Sequence, residues 1–523
     1  MPDIDETKRT RGKDALRSNI AAAKAVANTV RPTLGPKGMD KMIVNDQGDV
    51  IVTNDGVTIL QEMHVEHPIA KMFVDVARTQ ERVVGDGTTT AVVLAGELLS
   101  RAESLIDQNI HPTLIVRGYR HFHDRAQHYL WQMAKPVSLT DIALLQSIAT
   151  TAMTGKGVEG DKEILADLLV KAVVGIARDT HSDIVDLDHI KIETEVGVPT
   201  KQSRFIAGLL IDKEKVHPAM PAQVSSARIA LLDVPLEIKN TDIDAKIQIT
   251  DPHQLNNFLE QEERTLHEIV CLIKSAGANV VFCQRGIDDL AQYFLSREGI
   301  IAARRVKKSD MEKLSLATGG RIVSSIKDLK AEDLGFAGAV REEKIGEDKM
   351  LLVEGCSNPR AVTLLVAGST GHVASEARRA VTDALGDLTA ALREKKVVAG
   401  AGAVEMRLSS FLRQEAMGLT GREQLIALQF VEALEVIPRT LVENAGLDSL
   451  DMLTLLRLDS REWAGVNVFS GQIMDAWEQG VIEPLAVKTV ALSSAMQVVE
   501  MILRIDDVIL GKPRKAEKGF DLE

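Results

Sequence analysis

The chain has 523 residues, so it is too long for a single hydrophobic core, and two to four domains are expected. Its 62 basic and 75 acidic residues give a formal net charge of −13, which argues against a nucleic-acid-binding protein. Cys271, Cys283 and Cys356 are too few and too scattered for a disulfide framework or a zinc site. The polar N-terminal segment and the lack of a long apolar run predict a cytoplasmic protein with no membrane segment.

Helical patterns dominate both halves of the chain, and strand-like runs are more frequent near its centre. The helical predictions are an alanine-rich helix over Lys13–Val30, mainly helices from Pro68 to about Ala134, and helices again after Gly371. The predicted strands are a hairpin of Lys41–Val44 and Val50–Thr53, then Lys191–Val196, Ala227–Leu232, Val280–Cys283 and Asp507–Leu510. Residues 512–523 are polar and are predicted to be disordered.

The motif Gly85-Asp86-Gly87-Thr88-Thr89-Thr90 lies between two helix-like segments. Its glycines fall in a sharp turn and its threonines begin a new helix, whose unpaired N–H groups suit phosphate oxygens. Asp86 would then hold the metal ion that accompanies a nucleotide. A glycine turn with threonine caps and no ligand explains the same six residues about as well.

No Walker-type phosphate loop is present in the sequence, and residues 155–161, which come nearest, lack the closing lysine. Residues 397–402 are similar to the start of a Rossmann unit, a strand followed by a glycine turn and a helix. However, Glu405 stands where the third glycine or alanine belongs, so this motif is weak evidence for a dinucleotide site. Any ATP site must be of another kind.

Three further polar residues have ordinary structural interpretations. Asp383 lies on the polar stripe of a helical run over His372–Leu392, where a solvated pair with Arg379 is the simpler interpretation. Asp55 follows the predicted hairpin and fits a turn residue or a helix cap. Lys156 in its glycine turn fits a surface lysine. None of the three would point to catalysis in isolation.

The segment LGPKGMDK at residues 34–41, followed by GDGTTT at 85–90, resembles the nucleotide site of chaperonins. Further along, NVVFCQRGIDDLAQYFL, VVAGAGAVE and GVIEPLAVKT resemble the group II branch, which comprises the archaeal thermosome and the eukaryotic cytosolic chaperonin. The resemblance extends from about Asp14 to Lys512. Several separate motifs follow the order found in that family, which makes coincidence an inadequate explanation.

The resemblance implies a multi-domain α and α/β fold with nested, discontinuous domains. A mostly helical equatorial domain would use residues 1–141 and 399–523, a small α/β intermediate domain residues 142–211 and 361–398, and an α/β apical domain residues 212–360. It also implies a helical protrusion at about residues 239–268 that serves as a built-in lid. Within it, residues 243–249 alternate like a strand and 251–254 have the signature of a helix start, so an ordinary core strand and helix is the alternative.

The resemblance further implies a site for ATP and Mg²⁺. Asp383 and Asp55 would act on the water that attacks the γ-phosphate, Asp86 would hold the metal, and Lys156 would sense the γ-phosphate. The other nucleotide contacts implied are Leu34, Gly35, Pro36, Gly87, Thr88, Thr89, Thr90, Gly400, Ala401, Gly402, Asn467, Val468 and Glu483. The family usually has three consecutive glycines at residues 400–402, so Ala401 is a departure that is expected to tighten or slightly distort the pocket.

The function implied is that of an ATP-dependent molecular chaperone, a ring-forming ATPase that encloses non-native polypeptides. Its partners would be copies of itself, with paralogous subunits as a further option, in a stacked double ring of eight- or nine-fold symmetry without a separate co-chaperonin lid. Two alternatives stay open. One is a ring subunit that binds ATP but hardly hydrolyses it, against which Asp55, Asp86 and Asp383 count. The other is a monomeric nucleotide-dependent enzyme that uses the Gly400 loop.

Overall fold

The structure is a computed structural model that describes residues 9–44, 48, 50–63, 67–180, 189–238, 252–356 and 361–509. The chain divides into two compact units. The first unit comprises Met1–Ser138, Thr154–Lys156 and Gly386–Glu523, and the second comprises Leu139–Met153 and Gly157–Leu385. Helices and mixed sheets together confirm the predicted multi-domain α and α/β fold class.

The helices are α1 (Gly12–Val30), α2 (Gly56–Glu62), α3 (Pro68–Val83), α4 (Thr88–Asp107), α5 (Pro112–Met133), α6 (Ile142–Met153), α7 (Lys162–Thr180), α8 (Pro252–Ser275), α9 (Asp289–Arg297), α10 (Lys308–Thr318), α11 (Gly371–Glu394), α12 (Ala403–Met417), α13 (Gly421–Leu434), α14 (Val436–Asn444), α15 (Ser449–Leu458) and α16 (Leu485–Leu503).

The strands are β1 (Arg9–Arg11), β2 (Lys41–Val44), β3 (Val50–Thr53), β4 (Lys135–Pro136), β5 (Ile190–Val196), β6 (Arg204–Ile206), β7 (Gly208–Ile211), β8 (Gln223–Leu232), β9 (Val280–Cys283), β10 (Ile301–Ala303), β11 (Ile322–Val323), β12 (Gly335–Ile345), β13 (Asp348–Glu354), β14 (Val362–Gly368), β15 (Lys396–Ala399), β16 (Ala464–Asn467), β17 (Gln472–Asp475), β18 (Ile482–Pro484) and β19 (Asp507–Ile509). Every predicted strand is confirmed within the described residues; Leu510 and residues 512–523 lie outside them.

The first unit is built around α4, which packs against α1, α3, α13 and α16. Small residues let the helices approach closely, since a Cβ atom on Gly96 of α4 would overlap the Cβ atom of Ala27 in α1. The first and last described residues also meet in this unit, where β1 pairs with β19 in antiparallel register, Arg9 opposite Ile509. Buried residues occur along α4 from Thr88 to Ile106.

Helix α16 is the one described helix that is long and apolar enough to cross a membrane. Within the first unit, 72% of its apolar window is buried. It packs against α3, α4 and α5 and carries a buried lysine, Lys488. These contacts are those of a core helix in a packed domain.

The second unit is organised on a seven-stranded mixed sheet in the order β10-β9-β8-β12-β13-β7, with β11 paired to β8. Alternate residues of β8 point to opposite faces: Ala227 and Ile229 lie in one apolar core with α10, whereas Ala230 and Leu232 lie in another with α8 and α9. A separate three-stranded sheet has the order β5-β14-β6. Both sheets lie in the second unit, which is not divided further. The division into five domain segments therefore stays a prediction.

The predicted lid at about residues 239–268 is described only in part. Residues 239–251 lie outside the described residues, and they include the alternating segment and the proposed helix cap at Asp251. The helix predicted to follow is α8, which begins at Pro252 and ends at Ser275.

A buried ion cluster joins β5 to α10 in the second unit. The Lys191 side chain is 9% exposed, and its Nζ atom lies 2.9 Å from Asp310 Oδ1 and 3.1 Å from Glu193 Oε1. It also donates a hydrogen bond of 2.8 Å to the Leu210 carbonyl oxygen. Removal of one partner from such a cluster leaves uncompensated charge away from water, which is far more costly than loss of a surface pair.

Replacement of Lys191 by Met should therefore lower the free energy of unfolding by about 3–5 kcal/mol, because Asp310 and Glu193 lose their cation. Urea denaturation of the purified variant measures this value. The double variant Lys191→Met/Asp310→Leu should recover part of the loss, since it removes the two most buried charges together and leaves only Glu193, whose side chain is 22% exposed. A single variant as stable as wild type would contradict this account of the cluster.

Candidate nucleotide site

The loop at Leu34–Pro36 is held in place by side chains of α14. Asn444 Nδ2 donates hydrogen bonds to the carbonyl oxygens of Leu34, at 2.9 Å, and Arg31, at 3.1 Å. Gly35 has φ 81°, a conformation that favours glycine, and a Cβ atom on it would overlap Leu441 Cδ2 of α14. The backbone of this loop is thus fixed by packing and hydrogen bonds.

Helix α4 begins without a capping side chain. Its N-cap is Gly87, which adopts the left-handed conformation with φ 79° and ψ 13°. Gln80 Nε2 donates a hydrogen bond of 2.8 Å to the Asp86 carbonyl oxygen and so fixes the turn that precedes the helix. Because no side chain caps this end, the N–H groups of Thr88, Thr89 and Thr90 are available to an external acceptor. A phosphate is the acceptor that such a helix start favours.

Asp55 is the N-cap of α2, as its ordinary interpretation predicts. Its carboxylate accepts from the backbone N–H groups of Val57, at 3.3 Å, and Thr58, at 3.0 Å. The same carboxylate also lies beside the start of α4, where Thr88 Oγ1 is 3.5 Å from Asp55 Oδ1. A Cβ atom on Gly56 would lie 2.5 Å from Thr89 Oγ1, so the starts of α2 and α4 are in direct contact.

The turn that carries Lys156 contacts both of these loops. Asn54 Nδ2 donates a hydrogen bond of 3.0 Å to the Gly155 carbonyl oxygen. A Cβ atom on Gly155 would lie 2.5 Å from the Cα atom of Pro36. The segments at 34–36, 54–55, 87–90 and 155–156, which are far apart in the sequence, are therefore brought together in the first unit.

The Gly400 loop connects β15 to α12, the strand–turn–helix arrangement that the sequence predicts. Gly402 is the left-handed N-cap of α12, which also begins without a capping side chain. The Gly400 N–H donates to the Val481 carbonyl oxygen at 2.8 Å, and the Val466 N–H donates to the Ala401 carbonyl oxygen at 3.1 Å. Asn467 and Val468 follow directly, so the structure places them beside this loop.

The turn at Asn467 also reaches the first loop. Asn467 Oδ1 accepts hydrogen bonds of 3.0 Å from the N–H groups of Phe469 and Ser470. The Nζ atom of Lys37 lies 5.2 Å from the centroid of the Phe469 ring, a cation–π contact. Asn467 thus shapes its own turn, and that turn contacts the segment that begins at Leu34.

Glu483 belongs to a buried ion cluster that the sequence motifs do not predict. Lys488 Nζ lies 2.6 Å from Glu483 Oε2 and 3.0 Å from Glu405 Oε1. Burial raises the pKa of Glu483 above its ordinary value against the opposing effect of Lys488. Burial alone would lower the pKa of Lys488, but Glu405 and Glu483 raise it above its ordinary value, so the lysine is charged.

Asp383 lies on α11 in the second unit, whereas the other predicted site residues lie in the first. Arg379, its expected surface partner, pairs with Glu376 at 2.6 Å. Gly386 of the same helix belongs to the first unit, and a Cβ atom on it would lie 2.8 Å from the Val84 carbonyl oxygen. This contact lies within the first unit, between Gly386 and the residue that precedes Gly85.

In the part of the chain that the structure describes, no group of three or more His, Cys, Asp or Glu side chains is arranged to hold a metal ion. Asp86 would therefore act as an isolated ligand. This donor set fits Mg²⁺, which binds through one or two carboxylates together with phosphate oxygens and waters and does not require a protein cage.

Comparisons with known proteins identify the family of the chain. The profile described as the TCP-1/cpn60 chaperonin family matches residues 26–513. A thermosome subunit of Methanopyrus kandleri is 56% identical over 505 residues, which cover 96% of this chain and 93% of the relative. The thermosome subunit beta of Archaeoglobus fulgidus is 54% identical over 517 residues, 98% of this chain and 95% of the relative. The chain belongs to the TCP-1/cpn60 chaperonin family, in its group II branch, as its motifs predict.

Ala401 has a left-handed backbone conformation, with φ 56°. Residues other than glycine adopt this conformation at a cost of about 1–2 kcal/mol. The departure from three glycines therefore affects the backbone of the loop itself. A Cβ atom on Gly465 would lie 3.0 Å from that of Ala401, so a small residue is needed on the facing strand. The expectation of a tightened pocket stays a prediction.

Replacement of Ala401 by Gly should raise the free energy of unfolding by about 0.5–1 kcal/mol, because relief of the left-handed strain exceeds the entropy gained by the unfolded chain. The midpoint of urea denaturation measures the change. The matched control Ala416→Gly, in the ordinary helical backbone of α12, should be destabilising. If Ala401→Gly were as destabilising as the control, the account of strain at this position would be wrong.

Proposed function

We propose that this chaperonin is an ATPase whose hydrolysis of ATP drives the enclosure and folding of non-native polypeptides. The proposal is carried by one observation, the convergence of four sequence-distant segments at the uncapped start of α4, with Asp55 3.5 Å from Thr88. Folding stability alone does not require a helix to begin with unpaired N–H groups beside a carboxylate. Such an arrangement suits phosphate and the water that attacks it.

Bound MgATP would supply the phosphoanhydride bond that is cleaved. The N–H groups of Thr88–Thr90 and the loop Leu34–Pro36 would bind its phosphates, and Lys156 would lie near the terminal one. Asp86 would hold Mg²⁺. The Gly400–Gly402 loop would line the ribose and base side, together with Asn467, Val468 and Glu483.

Asp55 and Asp383 would act on the attacking water. Asp55 is oriented by the N–H groups of Val57 and Thr58 that it caps, which fixes the direction of its carboxylate. Asp383 would accept the proton from the water as general base. Hydrolysis of ATP requires little beyond a metal ion, a positioned water and such a base.

Substitution of Asp383 by Ala should leave MgATP affinity almost unchanged and slow hydrolysis by about 10²-fold or more, because a positioned base is lost. Asp86→Ala should instead weaken MgATP binding itself, since the metal loses its ligand. Calorimetric titration and phosphate release measure the two quantities, and Asp75→Ala, on an exposed position of α3, is the control.

Wild-type turnover in Asp383→Ala would contradict the assignment of the base. Unchanged MgATP affinity in Asp86→Ala would contradict the assignment of the metal ligand. Wild-type protein that binds MgATP but hydrolyses it no faster than Asp383→Ala would indicate a ring subunit with little turnover.

We further propose that the chain assembles with copies of itself, and with paralogous subunits where the cell makes them, into a stacked double ring in the cytoplasm. Archaeoglobus fulgidus has relatives named thermosome subunit alpha and thermosome subunit beta, 52% and 54% identical to this chain. Paralogous subunits of this branch therefore occur side by side in one organism. Non-native polypeptides would bind through apolar surface of the apical segments.

The proposed lid spans about residues 239–268. Replacement of residues 240–257 by a short Gly/Ser linker should leave folding, ring assembly and ATP hydrolysis largely intact, because the apolar residues of a protrusion contact neighbouring protrusions and not their own core. A bound client protein should then stay protease-sensitive in the presence of ATP, whereas the wild-type ring protects it. An insoluble or unassembled variant would contradict the lid, since loss of core residues costs several kcal/mol.

A further inference from the structure

The buried cluster of Glu405, Glu483 and Lys488 brings together three elements of the first unit. Glu405 lies in the first turn of α12, Lys488 in the first turn of α16, and Glu483 in β18. The side chains of Lys488 and Glu405 are 8% and 9% exposed, and that of Glu483 is 21% exposed. Ions this far from water are stable only when their partners are fixed in direction, so the cluster holds all three side chains in one arrangement.

The two oxygens of Glu483 have different surroundings. Oε2 is bound by Lys488 at 2.6 Å. Oε1 faces the Gly400 loop, where it would overlap a Cβ atom placed on Gly400. Antiparallel pairing of Val398 with Glu483 in β15 and β18 fixes the backbone beneath this contact. One oxygen is therefore anchored, and the other is directed at the loop that would line the sugar side of the nucleotide.

The charges of the cluster do not balance. Lys488 supplies one positive charge against two carboxylates, and the negative charge of Asp86 adds to the field at Glu483. Glu405 Oε2 is buried with no hydrogen-bond partner among the described residues. A cluster built for stability alone would satisfy this oxygen, so stability does not account for the whole arrangement.

We propose that Lys488 is a positioning residue that aims Glu483 Oε1 at the sugar hydroxyls of the bound nucleotide and so sets the preference for a ribose over a sugar without hydroxyls. The inference rests on the proposed ATP site. A carboxylate that accepts from a hydroxyl discriminates strongly against a ligand that lacks the hydroxyl, provided that its direction is fixed. Lys488 itself makes no contact with the nucleotide in this account.

The test compares the affinities of Mg²⁺ complexes of ATP and 2′,3′-dideoxy-ATP, measured by calorimetric titration of the assembled protein. Wild-type protein should bind ATP about tenfold more tightly than the dideoxy analogue. In Glu483→Gln and in Lys488→Met this preference should fall to about twofold or less, mainly through weaker binding of ATP. Arg413→Met is the matched control: it lies on α12 and removes a cation 2.9 Å from the buried carboxylate Glu435, but should keep the wild-type preference.

The double variant Lys488→Met/Glu405→Gln separates positioning from stability. It removes one positive and one negative charge, so the net charge of the cluster returns to its wild-type value and two unpaired carboxylates no longer repel each other. Part of the stability lost in Lys488→Met should therefore be recovered. Glu483 Oε2 still lacks its ammonium partner in this variant. The ribose preference should therefore stay low in the folded double variant. If the role of Lys488 were purely structural, the ribose preference would return in this variant.

A wild-type ribose preference in Lys488→Met or in the double variant, together with loss of the preference in Glu483→Gln, would overturn the role of Lys488 and leave the ATP site intact. Equal affinity of wild-type protein for the two nucleotides would overturn the role of Glu483 and with it that of Lys488. Wild-type protein that binds neither nucleotide would overturn the proposed function itself.

Discussion

The burial of α4 is the constraint on which the candidate site depends. This helix is enclosed by α1, α3, α13 and α16, and apolar residues along its length lie in the main core of the first unit. Because it cannot shift without disrupting that core, its first N–H groups have a fixed position and direction. The loops at Leu34–Pro36, Asp55 and Gly155 are then located relative to this fixed end by short hydrogen bonds and close backbone contacts. The candidate phosphate site is thus preorganised by core packing.

Two features near this helix have different roles, a glycine at its start and a buried ion cluster. The left-handed Gly87 begins α4 without a capping side chain, which leaves backbone donors where an anion would lie. On the other side, Lys488 counters two carboxylates and keeps Glu483 against the Gly400 loop. The backbone donors suit negative phosphates, whereas the carboxylate of Glu483 presents an acceptor to hydroxyl groups. The two ends of one nucleotide have these opposite requirements.

The sequence predicts local structure well because apolar periodicity and turn residues act over short distances. The hairpin of β2 and β3, the strand β9 and helix α1 all follow from such patterns. The candidate site residues depend on family motifs, since Asp55 and Asp383 have ordinary interpretations in isolation. Asp55 indeed caps a helix. Only the fold adds that it also lies beside Thr88.

Other features depend on contacts between distant parts of the chain and leave no local pattern. The pairing of β1 with β19 joins the two ends of the described chain. The ion pair between Glu405 and Lys488 joins two helix starts that a motif search treats separately. The left-handed conformation of Ala401 is likewise imposed by its neighbours, since an alanine on its own favours an ordinary helical or extended backbone.

The central claim is that one nucleotide site is assembled from these separate loops. A cryo-electron microscopy map of the wild-type protein with Mg²⁺ and a non-hydrolysable ATP analogue tests it most directly. The account predicts phosphate density against the N–H groups of Thr88–Thr90, metal density at Asp86 and the sugar beside Glu483, in every subunit of a double ring. Nucleotide density elsewhere in the chain, or a saturated sample with these loops empty, would contradict it.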